Sequence, residues 1–93
     1  MVIDGLEFVL TCVACPEQYD VFDEHHKQVG YVRLRFGNLT CDYPDYRGDE
    51  IYHHEFEEED GFKGSFDDDN ERNEFLKTIA ETINAKRREQ NEV

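Results

Sequence analysis

From Leu6 to Val13 the chain alternates, with Leu6, Phe8, Leu10 and Cys12 on one side and Glu7 and Thr11 on the other, the period of a half-buried strand. Pro16 interrupts, because it has no N–H for the ladder, and "EQYDVFD" resumes an extended pattern with Tyr19 and Val21 on one face. After the polar "DEHHK", the stretch "QVGYVRLRF" sets Val32, Leu34 and Phe36 against Tyr31, Arg33 and Arg35. Gly37-Asn38 follows as a two-residue hairpin link, since Gly accepts positive φ and Asn the left-handed region. The expected register pairs Phe36 with Leu39, Leu34 with Cys41, Val32 with Tyr43 and Arg33 with Asp42, so apolar residues meet on one face and opposite charges on the other. "YPDYRGDE" reads as loop, with Pro44 and Gly48 as turn formers. "IYHHEF" reads as the next strand, with Tyr52, His54 and Phe56 on one face and Ile51, His53 and Glu55 on the other. Beyond the Asp60-Gly61 turn signal, "FKGSF" is a candidate short edge strand weakened by glycine.

At Asp69 the period changes to that of a helix. Phe75, Ile79 and Ile83 lie four apart with Leu76 and Ala80 beside them, one apolar stripe. Asp68 with Glu71 resembles a capping box, "DDD" places negative charge at the helix start, and "AKRRE" places cations at its end. Consecutive strands with short links pair as neighbours, and no crossover helix is available for parallel pairing. The expectation is a single α+β domain over residues 1–93: an antiparallel β-meander of about five strands spanning about 6–66, one C-terminal helix over about 69–88 packed on one face, and a short frayed tail.

Composition narrows the classes of function. Ninety-three residues build one core, and 38% hydrophobic residues with seven Phe and five Tyr are enough to fill it. The formal net charge of −13 disfavours nucleic acid and anionic membranes, which need a surplus of Lys and Arg on one face. It favours basic proteins and cations instead. No apolar run approaches the roughly 20 residues that span a bilayer, and "MVIDGLEFVL" carries acids where a signal peptide carries positive charge, so a cytoplasmic setting is expected. In that reducing compartment three cysteines stay thiols, and no disulfide framework is inferred.

Cys12, Cys15 and Cys41 with one of His25, His26, His53 or His54 form a Cys₃His inventory suited to zinc, but no second close pair of ligands accompanies the Cys-x-x-Cys. Cys41 falls on a packed face, where a small apolar thiol is ordinary. The Cys-x-x-Cys lies between strands, away from the helix N-terminus a redox thiol needs, and no oxyanion loop accompanies a Cys-His pair. His25 and His26 fall in a hairpin loop, and His53 and His54 point to opposite faces of a strand, so neither pair grips one ion. "EFEEEDG" and "DDDNE" do not match a calcium loop in register and read as solvated charge runs.

At "ACPEQYDVF", "QVGYVRLRFGNLTCDYPD" and "DDDNER" the chain resembles a set of small uncharacterised bacterial proteins that share the Cys-Pro-Glu-Gln-Tyr segment, a Val-Gly-Tyr strand, a Tyr-Pro-Asp loop and a closing helix. That family carries no assigned activity, so the resemblance transfers no functional residue. The expected function is therefore a non-enzymatic, acidic, cytoplasmic binding module with no cofactor. It is expected to bind another macromolecule or a small ligand, with a protein partner or a second copy of the chain in a homodimer as the candidates rather than nucleic acid or membrane. The candidate surface is the strand face opposite the helix, carrying Tyr31, Arg33 and Arg35, whose alternative role is cross-strand pairing with Asp42. Two competing functions are a structural-zinc protein using Cys12, Cys15 and Cys41, with His54 as a further ligand, and an acidic mimic of nucleic acid that occupies a basic groove.

Overall fold

A computed structural model describes residues 1–12, 17–57 and 63–91. Among these residues six antiparallel strands pair in sequence order: β1 (Val2–Ile3), β2 (Leu6–Cys12), β3 (Glu17–Phe22), β4 (Gln28–Arg35), β5 (Asn38–Tyr43) and β6 (Asp49–Glu55). One helix, α1 (Asp69–Asn91), covers a single face. This is the expected α+β meander with one strand more. The addition is β1, returned onto β2 by Asp4-Gly5, both at positive φ (51° and 81°) as a type I′ turn requires.

Alternation puts Leu6, Phe8, Tyr19, Val21, Val32, Leu34, Leu39 and Cys41 on the inner face, where they meet Leu76, Ile79, Ala80 and Ile83 of α1. Phe75 packs at the margin of that core. The helix starts as its sequence suggests: Asp68 Oδ1 accepts the Glu71 N–H at 2.8 Å, and Glu71 Oε1 accepts the Asp67 N–H at 2.9 Å. It runs past the expected end, to Asn91, with Arg88 in its last turn.

The β4–β5 register differs from the expected one. Leu34 faces Leu39, Val32 faces Cys41, Arg33 faces Thr40 and Tyr31 faces Asp42, with Phe36 and Gly37 as the turn residues at φ 51° and 75°. The tip is one residue earlier because Gly37 is held from both sides: its N–H bonds Lys63 O at 2.9 Å and its carbonyl accepts from Phe56 N at 2.8 Å. The slip is two residues along β5, so each side chain keeps its face and apolar residues still oppose apolar ones. Phe36 leaves the core face and stands 61% exposed at the tip.

Three bulges redirect side chains that strict alternation misplaces. Between Leu10 and Cys12, Thr11 is the extra residue, and Cys12 then faces Gln18 on the outer side rather than joining Leu6 and Phe8. In β4, Val29 is extra and turns into the core, and in β6 Ile51 is extra and packs on the core rather than facing out. The Asp60-Gly61 turn signal and Phe62 lie outside the described residues, and the rest of the candidate edge strand, Lys63 to Phe66, makes no strand. It crosses the end of the sheet, with Glu17 N bonded to Gly64 O at 2.7 Å and Phe66 N to Glu17 Oε1 at 3.2 Å.

Candidate functional site

On the outer face, α1 leaves the sheet uncovered, and β4 lays a stripe along its centre. Tyr31, Arg33 and Arg35 point outward together, because Val32 and Leu34 between them are buried. Each end of the stripe is extended by a residue outside the strand. Tyr46 stands edge-on to Tyr31 with ring centroids 6.1 Å apart, and the Arg47 guanidinium lies 5.2 Å from the Tyr46 ring. At the other end the Arg35 guanidinium lies 4.8 Å from the exposed Phe36 ring.

The surroundings of this stripe are acidic. Asp20 on β3 and Asp42 on β5 flank it, and Glu50 and Glu55 lie one strand further on β6, all facing outward. Burial and the opposing Glu50 raise the Asp42 carboxyl above its usual range, while Arg33 pulls it back. Among the described residues neither Arg33 nor Arg35 is within ion-pair distance of a carboxylate. Arg72, Lys63 and Arg87, by contrast, are each held by two acids. The tyrosine is more constrained: the Tyr31 hydroxyl donates to Gln18 Oε1.

The cysteines and histidines are not brought together. Cys12 lies on the outer face of β2 and Cys41 on the inner face of β5, and three strand spacings of about 4.8 Å put the strands about 14 Å apart. One ion cannot take both thiols, and Cys15 lies outside the described residues. Cys41 is fully buried between Val32 and Tyr52, and burial pushes its thiol up to about 12. His54 shares that face but packs among rings, 4.7 Å from Phe56 and 4.9 Å from Phe75. His53 points outward to Asn38, and His25 and His26 occupy the β3–β4 turn. Among the described residues no group of His, Cys, Asp and Glu is arranged to hold a metal.

A second polar feature lies outside the expected site residues. Glu17 is buried on the inner face at the start of β3, where Tyr19 donates its hydroxyl to Oε2 and Arg72 reaches it from α1 with Nε at 2.7 Å. Burial pushes the Glu17 carboxyl up, but the Arg72 hydrogen bond, then Tyr19, the Phe66 N–H and the Arg72 charge outweigh it, leaving it below the usual range. The same surroundings push Tyr19 the other way, above its ordinary value, by burial first and Glu17 second. Beside this cluster an open groove of about 580 Å³ runs out to Met1, Phe8 and Leu10 at the β2 edge. Period two already places Glu17 on the face of Tyr19 and Val21, and an acid at a core position was the signal available.

The chain matches no family model, no curated protein and no solved structure. No described helix is long and apolar enough to cross a membrane.

Proposed function

We propose that the protein is a non-enzymatic binding module whose outer sheet face, around Tyr31, Arg33 and Arg35, docks a protein partner. The observation that carries this is the pair Arg33 and Arg35, two guanidiniums with no carboxylate at ion-pair distance among the described residues, on the face that α1 leaves uncovered in a chain whose net charge is −13. Exposed Phe36 and Tyr46 bracket them with apolar area, and Arg and Tyr are the residues that dominate protein interfaces. The charge pattern describes the partner: carboxylate or carbonyl acceptors at the centre to meet the arginines, and basic side chains around them to meet Asp20, Asp42, Glu50 and Glu55.

The test compares capture from native extract by the wild-type chain and by a Tyr31→Ala/Arg33→Ala/Arg35→Ala variant of matched thermal stability. Proteins held by the wild type at low salt and lost from the variant support the reading. Retention of every captured protein by the variant defeats it.

A further inference from the structure

β1 covers only the first half of β2. It pairs Val2 with Glu7 and Ile3 with Leu6, and the last bonds in that direction join Phe8 N to Met1 O at 2.7 Å and the Met1 ammonium to Phe8 O at 3.4 Å. Backbone groups two residues apart on a strand point to the same side, so Leu10, facing Tyr19 through a non-bonded position of the β2–β3 ladder, turns its N–H and C=O outward as Phe8 does. Among the described residues no strand lies there to take them. Val9 and Leu10 are 41% and 44% exposed, and Thr11 beside them is exposed as well.

The far edge of the sheet shows how this fold protects a strand elsewhere. β6 carries Asp49, Glu50, His53 and Glu55 along its length, and charge on an edge resists added strands. Val9 and Leu10 carry neither charge nor proline, the bulge at Thr11 ends the regular edge just beyond them, and the groove over Phe8, Leu10, Tyr19 and Arg72 opens directly beside Leu10. Unpaired peptide groups specify an extended backbone as the occupant, and the groove specifies apolar side chains on the inner side of that backbone. On the outer side, Glu7 lies two residues before Val9 on the same strand and Asp20 pairs with Val9 from β3, so the outer face around this edge is acidic. A second copy of the chain would bring two bodies of charge −13 together, whereas a basic segment meets attraction.

We infer that the open edge of β2 at Leu10 is a docking site for an extended segment of a basic partner protein, added to the sheet as a further strand with alternating apolar and basic side chains. The site is separate from the outer-face stripe, and either stands without the other.

The probe is a capped hexapeptide of alternating valine and lysine, titrated into the ¹⁵N-labelled full chain. The expected result is saturable shifts at the Leu10 and Thr11 amides, exchange of the Leu10 amide slowed about tenfold, and binding about tenfold weaker when glutamate replaces lysine in the peptide. Leu10→Pro removes the edge donor at a position where the native ladder does not use it, and binding is lost. A peptide N-methylated at its valines tests the same bonds without altering the protein, and it too fails to bind. The Tyr31→Ala/Arg33→Ala/Arg35→Ala chain binds the peptide as the wild type does. Shifts confined to the acidic helix start, equal binding of the N-methylated peptide, or Leu10 shifts that track self-association in sedimentation overturn the inference.

Discussion

Arg72 Nε donates to Glu17 Oε2 at 2.7 Å, joining the first turns of α1 to the first residue of β3 across the end of the sheet. Glu17 Oε1 also accepts the Phe66 N–H, so one buried carboxylate binds the helix, the crossing segment and the sheet. Removing one member of such a pair leaves the other buried without its charge partner. Arg72→Ala should cost about 2–4 kcal/mol in urea unfolding at neutral pH, with the slope unchanged.

The same carboxylate sets an acid limit. Its folded pKa is lowered, so its contribution is fully present above the ordinary glutamate value and is lost as pH falls from there through the depressed one. The stability difference between the wild type and Glu17→Gln should stay constant above about pH 5 and shrink below about pH 4. Measuring the difference cancels the relief of self-repulsion that both chains gain on acidification. A difference that grows on acidification contradicts the sign.

That cluster also marks where legibility in the sequence ends. The face of Glu17 follows from its spacing to Tyr19 and Val21, but its partner Arg72 is 55 residues away and no local pattern links them. The meander, the inner face and the helix stripe were legible because each depends only on a local period that Val32, Leu34, Ile79 and Ile83 keep. The outward stripe Tyr31, Arg33 and Arg35 was legible for the same reason. Its aromatic ends were not: Phe36 alternates inward and reaches the surface only because the turn falls on it, and Tyr46 arrives from a loop. Thr11, Val29 and Ile51 were misplaced or missed because a bulge is set by cross-strand bonding rather than by its own strand's period.

Gly30 limits how closely α1 approaches. A Cβ there would stand 2.8 Å from Ile83 Cδ1 and 3.3 Å from Val21 Cβ. Both neighbours are fully buried, so neither can swing away freely. Gly30→Ala should cost about 1–3 kcal/mol and Ile83→Val about 0.5–1.5 kcal/mol alone, while the double variant loses less than the sum by about 1 kcal/mol, since the shorter side chain vacates the clash. Strict additivity in chemical denaturation would place the cost of Gly30→Ala elsewhere.

Cys41 answers the question of thiol chemistry in β5. With its pKa pushed up to about 12 by burial, it is a neutral thiol at physiological pH. In a Cys12→Ser/Cys15→Ser background, Ellman's reagent at pH 8 should leave Cys41 unlabelled in the native state and label it fully in urea. Cys41→Ser should destabilise by about 1–3 kcal/mol by burying a hydroxyl among Val32, Leu39 and Tyr52. Rapid native labelling would mean that β5 opens far more readily than its packing implies.

Phe36 joins stability to the proposed surface, because the conformation that exposes it is one its side chain disfavours. At φ 51° a non-glycine residue in the left-handed region costs about 1 kcal/mol, and Asn tolerates that region best of the residues with a Cβ. Phe36→Asn creates an Asn-Gly tip and gives up only an exposed ring and its contact with Arg35, worth about 0.5 kcal/mol. The variant should therefore gain up to about 0.5 kcal/mol in denaturant unfolding. If the ring is part of the docking face, the same substitution weakens capture of the partner while strengthening the fold. Those opposite signs separate a binding role from a packing role, because a residue retained for packing would lose stability on replacement.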